Sequence, residues 1–514
     1  MSEAAIALNR FGLGARPDQA SPDDPRRWLT AQIDRYRPAS APIAAAPTSA
    51  AVSLDLVAYQ AEQRNIRQTM GPRQSAQASA MASGANAAPV MADSPAPGPV
   101  QPQAMAPGRS PEMPLAMPAV RDARMAARQE ARRAAQDRYV ALVGARTNAA
   151  LITDTPFAER LVHFWSNHFA VSADKLELVG LAGTLEMEAI RPHVMGRFAD
   201  MLFAVERHPA MLLYLDQAVS VGPDSPLGIR IAGRGRRKVG LNENLAREIM
   251  ELHTLGVRTG YTQADVTEFA RAMTGWTVGG IGGGPGARLA GQATPGSFVF
   301  AAAIHQPGAR TIVGKSYPEG GEAQAQAVLA NLAVHPATAH HIATKLARHF
   351  AADTPPPAMV ARLEQAFLSS GGDLPTVYRA LIASPEAWTP APAKFRTPWE
   401  WTIAAYRALG TSEVRPQTML GLMNQLGQPV WKPGQPIGYD DTAPSWAGPD
   451  AIMRRVEAAE RFAARSGATV DARALAPRLF PAAVSPATTQ ALSRAESPAQ
   501  ALALLLISPE MMRR

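Results

Sequence analysis

Glu248 and Glu251 stand three residues apart in Leu241-Asn-Glu-Asn-Leu-Ala-Arg-Glu-Ile-Met-Glu-Leu-His-Thr-Leu-Gly256, the densest collection of patterned polar residues in the chain. On a helix, side chains three apart lie side by side, as two carboxylates must to share a metal ion or a proton. A histidine from a packed neighbouring helix would complete a mixed nitrogen and oxygen site suited to zinc, iron or manganese. His168 is the candidate for that role. Asn244 and Glu243 would support the site, with Arg247, Trp276, Arg236 and Arg237 as further binding residues. The same carboxylates have a structural use as well. Paired with Arg247 or Arg271 they would hold helices in register, and removing one partner of such a buried pair costs roughly 3–5 kcal/mol.

The elements that must position these groups are helices. At 100° per residue, Leu241, Leu245, Ile249 and Leu252 form an apolar stripe bordered by Asn244, Arg247, Glu248 and Glu251. Carboxylates that border a buried stripe are half-buried and need partners. The helix over 157–169, with Pro156 near its start, puts Leu161, Phe164, Trp165 and His168 on one face. A histidine there is more often a satisfied core residue than a ligand. Upstream of the 241–256 helix, a loop read over 217–240 ends in the basic run Arg234-Gly-Arg-Arg-Lys238, the densest charge beside the site. Downstream, Gly256 fits a helix C-cap, Thr262 with Asp265 a capping box, and Thr397-Pro398-Trp399-Glu400 a second helix start.

Taken along its length, the chain reads as mainly α: a multi-helix globular array with one or two short β segments and a long disordered insertion. Residues 1–70 give N-terminal helices of the core. Residues 71–119, rich in Ala, Pro and Met with almost no aromatics, cannot bury enough apolar area to order themselves. Residues 120–277 form the central helical core with the candidate site. Residues 278–322 combine a Gly-rich exposed loop over 279–296 with short extended segments at Phe298–Phe300 and Arg310–Val313. Residues 323–514 are again helical. Gly308 to Ser316 imitates a phosphate-binding loop but has five residues where four are required between the glycine and Gly314-Lys315-Ser316. No nucleotide site is expected there.

Composition bounds the remaining possibilities. The 514 residues contain no cysteine, which excludes disulfides, thiolate metal sites and cysteine nucleophiles. The formal charge of +8, from 51 basic and 43 acidic residues, is spread along the chain, including Arg121, Arg124, Arg128, Arg132, Arg133 and Arg138. Polyanion binding through 121–138 and 234–238 is the functional reading of that charge, and a solvated helix face the structural one. The N-terminus has no secretory pattern, so the expectation is cytoplasmic.

The motifs His163-Phe-Trp-Ser-Asn-His-Phe169, His208-Pro-Ala-Met-Leu-Leu-Tyr-Leu-Asp216, Asn242 to Gly256, Tyr261-Thr-Gln-Ala-Asp265, Ala270-Arg-Ala-Met-Thr-Gly-Trp276 and Lys345-Leu-Ala-Arg-His-Phe350 together resemble the bacterial domain of unknown function 1800 family. The resemblance implies a helical fold and brings no activity, cofactor or catalytic residue. It also implies a partner, because members often look exported and are often encoded beside a secreted sulfatase/phosphatase-like protein. Co-export with that partner would make the location periplasmic. The chain departs from the family pattern at His305-Gln306-Pro-Gly308-Ala-Arg310, where the family reads His-Asp-x-Gly-x-Lys, and it only loosely echoes a late Gly-Trp-Pro-Gly-Gly turn. The functional expectations are therefore a binding or accessory protein acting with a partner, a metal- or carboxylate-dependent hydrolase-like enzyme, or a polyanion binder.

Overall fold

The structure, a computed structural model, describes residues 1–70, 116–233, 240–282, 284–290, 293–466 and 469–514. Two compact units make up the chain: Met1–Ser53 with Ala135–Arg514, and Leu54–Ala134. In the smaller unit the described residues are the parts of two long helices, Ser49–Met70 and Ala116–Ile152, that fall within it, and Arg121, Arg124, Arg128, Arg132 and Arg133 are exposed there. The insertion read as disordered lies outside the described residues from 71 to 115, and residues 116–119 begin the second helix. Residues 41–69 are long and apolar enough to cross a membrane by length and composition, with a mean hydropathy of 1.3 over 18 residues. That stretch is not one helix. Helices Ala41–Ala44 and Ser49–Met70 are separated at 45–48, and any window of that length inside the second contains Asp55, Glu62 and Arg64.

The larger unit is a helical array whose helix starts are written in proline. Pro156, Pro209, Pro336 and Pro398 all occupy first-turn positions, where no backbone donor is lost. In His208-Pro209 and His335-Pro336 the histidine is itself the cap, its Nδ1 accepting from the backbone N–H two residues on at 3.2 and 3.1 Å. Both expected capping boxes, Thr262 with Asp265 and Thr397 with Glu400, are present. Successive helices Pro336–Phe350, Pro357–Ser370 and Leu374–Ala383 pack side by side, and Pro449–Ser466 packs on Pro498–Leu506. The interior is aromatic: Phe11 stacks on Phe350 and meets Phe157 and Trp388 edge-on or tilted, at centroid separations of 5.0–5.8 Å.

Two antiparallel hairpin-like pairs are the only sheets among the described residues. Trp276–Val278 pairs with Phe298–Phe300, and Arg310–Ile312 with Lys315–Tyr317. The phosphate-loop imitation is the second of these. Val313 and Gly314, both at positive φ, make its two-residue turn.

Three local expectations are corrected. The 217–240 segment is not simply loop, since Gln217–Val219 is a 3₁₀ turn and Pro226–Ala232 a helix capped by Ser225. The Gly-rich 279–296 stretch is partly interior: Gly279, Ile281 and Gly284 are buried, and a Cβ on Gly284 would lie 2.7 Å from the Ala218 carbonyl oxygen. Glycine is needed there for close approach, not for flexibility. The 241–256 helix begins only at Asn244, runs as α to Glu248, and widens into a π turn over Ile249–His253.

Candidate functional site

A cavity of about 620 Å³ opens inside the larger unit. The Pro156–His168 helix contributes one wall, with Arg160, His163 and Asn167 three and four residues apart and His168 next to the last. The Pro336–Phe350 helix contributes the facing wall through His341, Lys345, Arg348 and His349, again on one helical face. The π turn adds Glu251 and Leu252, Val257 follows it, the start of the Pro398–Ala408 helix adds Trp399 and Glu400, and the loop over 428–441 contributes a further stretch. In that loop Trp431 sits at φ 48°, a conformation a bulky side chain rarely adopts. The strain is held by contacts on both sides: Trp431 Nε1 donates to Glu186 Oε2 at 3.2 Å, and its carbonyl oxygen accepts from Ala173 N at 2.9 Å.

Behind these walls the charges are paired. Glu159 and Glu186 both receive Arg191, and Arg146 lies 2.9 Å from Glu186 with its guanidinium 4.2 Å over the Trp399 ring. Burial pushes the Glu159 carboxyl up, but Arg191 and His163 outweigh it and hold it well below the usual range. On the other side Glu400, the capping carboxylate of its own helix, also receives Arg160 and Arg514. Its burial is likewise overcome by those two arginines. Lys394 reaches Asp353 at 2.6 Å and lies 3.5 Å from Asp441.

The four cavity histidines have tautomers fixed by their partners. Trp399 Nε1 can only donate, so His163 Nδ1 accepts at 3.1 Å and Nε2 carries the proton. Carbonyl oxygens can only accept, so His168 Nε2 donates to His253 O and His341 Nε2 to Leu252 O, each at 3.1 Å. His349 Nδ1 donates to Asp441 Oδ2 at 2.7 Å. Burial lowers the pKa of all four below the ordinary histidine value, and brings His341 to about 4 with help from Lys345. At neutral pH these rings are uncharged.

Lys345 and Arg348 stand apart from every pairing above. Among the described residues no carboxylate lies within ion-pair distance of either, and neither side chain donates a hydrogen bond. Burial lowers the Lys345 ammonium to about 8, Asp441 working against the shift and Arg348 with it. The cavity thus holds two cations with unused donors between apolar and aromatic surfaces. An anion is the chemical complement of two such donors.

The residues nominated from sequence are distributed differently. Glu251 and His168 both line the cavity, whereas Glu248 does not. Glu251 lies 3.7 Å from Arg247. Glu248 is half-buried without a hydrogen bond or ion pair, and burial with Glu251 nearby raises its carboxyl. Glu243 ties its helix to the Gln263–Met273 helix, accepting from Arg247 at 3.1 Å, Gln263 at 2.8 Å and Thr267 at 2.7 Å. Asn244 is exposed. Trp276 is fully buried in its strand, 5.1 Å from Phe298, outside the cavity lining. Arg271 pairs with Glu268 and not with Glu248. Arg236 and Arg237 lie outside the described residues. No three His, Asp or Glu side chains converge as a metal-binding group among the described residues. The missed residues, Lys345 and Arg348, had a visible signal: like Glu248 and Glu251, they border the buried stripe of Ile342, Leu346 and Phe350.

The departure at Gln306 also has a structure. Its amide oxygen accepts from Asp224 N at 2.9 Å, and its amide nitrogen donates to Asp224 Oδ2 at 2.7 Å. A carboxylate at 306 would face the Asp224 carboxylate, so glutamine suits this neighbour.

A mainly helical array with a charged cavity is the class that these observations define. The chain belongs to the family described as "Protein of unknown function (DUF1800)", whose sequence signature matches residues 6–513. No curated protein and no solved structure matches the chain.

Proposed function

We propose that this protein is a binding protein for a small anion, held in the central cavity by Lys345 and Arg348. The observation that carries this reading is the contrast in pairing: Arg146, Arg160, Arg191 and Lys394 each meet a carboxylate, whereas these two cations meet none. An unpaired cation in a half-buried site is unfavourable unless an anion completes it. Binding is put before turnover because His349, the ring that a carboxylate orients, keeps its Nε2 buried and 3.9 Å from Glu400. A partner-dependent accessory role fits this reading, with the anion as the signal or cargo. Polyanion binding by the exposed arginines of 121–133 is a separate proposal, recognised by affinity that falls steeply with salt.

The test is melting of the full-length protein with acetate, benzoate, sulfate and phosphate. A ligand at a hundred times its Kd stabilises by about 2.7 kcal/mol. At least one anion should raise the melting temperature of the wild type and not of the Lys345→Met/Arg348→Met double variant. Equal shifts in both proteins, or none in either, would overturn the reading.

A further inference from the structure

We infer that the anion is amphiphilic: a single negatively charged head at Lys345 and Arg348, with an apolar body that runs to the cavity mouth. This rests on the binding reading above and adds the ligand class. Three observations carry it. Ile437 and Val257 both line the cavity, yet they are 58% and 56% exposed, which places two large apolar side chains at its rim. They are among the few large hydrophobic residues left in water on this chain, and here they flank an opening. The lining further includes Leu252, Val430 and Pro433 with the Trp399 and Trp431 side chains. Finally, the acids of the lining already have partners: Glu400 two arginines, Asp441 His349 and Lys394, Glu251 Arg247 at 3.7 Å, and Asp440 the Thr442 and Ser445 hydroxyls. A cationic ligand would have to compete with these partners for its acceptors, whereas a carboxylate or sulfate head finds free donors and an apolar tail finds apolar side chains in the lining.

The head would dock against the Lys345 ammonium, with Arg348 as a second donor. The tail would cover Ile437 and Val257, removing both from water. A cavity of about 620 Å³ is in the range of pockets that enclose ligands of this size.

The experiment is calorimetric titration of the full-length protein with acetate, butanoate, hexanoate and octanoate, with octylammonium and octyl sulfate beside them. Each added methylene that is buried should tighten binding about fourfold until the tail passes the rim. Octyl sulfate should bind and octylammonium should not. Ile437→Ser and Val257→Ser, both at exposed positions, should lower the octanoate-to-acetate affinity ratio, whereas Lys345→Met should weaken every carboxylate by a similar factor. Acetate binding that depends on Lys345 with no gain along the series would overturn the amphiphile inference and leave the anion site standing. Octylammonium binding as tightly as octanoate would overturn it as well. Failure of every carboxylate and of octyl sulfate would remove the anion site itself.

Discussion

Glu159 and Arg191 meet through two parallel hydrogen bonds, Nη1 to Oε2 at 2.9 Å and Nη2 to Oε1 at 2.6 Å, with both side chains almost wholly buried. The pair joins the Pro156–His168 helix to the turn after Glu186–Ile190, directly behind the cavity wall. Removing one charge leaves the other buried and unmatched. Glu159→Gln should therefore destabilise the protein by about 3–5 kcal/mol, seen as a lowered midpoint in urea. A loss below about 1 kcal/mol would show that the pair is solvated in solution.

Acid should weaken the fold in two stages. His163, His168, His341 and His349 have folded pKa values lowered by burial, so the unfolded chain takes up protons first as the pH falls. Their contribution is complete above the ordinary histidine value and is lost downward from about 6.5, for His341 until about 4. The depressed carboxyls of Glu159 and Glu400 add a second loss below the ordinary glutamate range. Melting temperature should fall from pH 7 to 5, and His341→Gln should flatten part of that fall. A melting temperature unchanged over this interval would contradict the assigned neutral rings.

Anion binding should carry the titration of Lys345. Its ammonium is lowered to about 8 in the empty cavity, so affinity should be flat from pH 6.5 to 7.5 and decline through the range above 8 as the proton leaves. A bound anion raises that pKa, which moves the midpoint of the decline upward. Lys345→Arg keeps its charge to much higher pH and should bind without the decline. Calorimetry at pH 6.5 to 10 checks both.

Glu248→Gln should raise the melting temperature at pH 7. The folded carboxyl is raised by burial and by Glu251, so ionisation opposes folding above the ordinary glutamate pKa and has no effect below it. The gain should be less than about 1 kcal/mol and should vanish below pH 4. A collapse of the melting temperature would mean that Glu248 holds a pairing partner in solution after all.

Gly14→Ala should cost about 1–3 kcal/mol. Gly14 has φ +100°, and a Cβ would stand 2.9 Å from that of Ala404. Its carbonyl oxygen accepts from the buried Arg407 at 2.9 Å, so the backbone has little freedom to yield. A melting curve identical to that of the wild type would show that the turn relaxes.

Much of this was legible in the sequence because it is local. The Thr262 and Thr397 capping boxes, the proline helix starts and the short strands at 298–300 and 310–312 all depend on a few adjacent residues. The family resemblance rests on motifs of the same kind. The cavity was half legible. Patterned polar residues beside a buried stripe singled out Glu251 and His168, but no periodicity states that Glu243 is consumed by Gln263 and Thr267. Nor can a spacing rule announce that Arg514 reaches Glu400, 114 residues away, while Lys345 and Arg348 meet no carboxylate among the described residues. Pairing is a property of the packed molecule, and the proposed site is built on what packing leaves over.

The π turn at Ile249–His253 is a helix that carries one residue more than the α ladder needs. Each residue turns a helix by about 100°, so that extra residue decides which side chains reach the cavity and places Glu251 there while Glu248 is left out. Loss of a single codon between 249 and 253 could be absorbed by a regular helix, yet it would swing the following side chains to a new face. The chemistry of this wall is thus written partly in a count of residues, and a deletion could redraw it without altering any amino acid that remains.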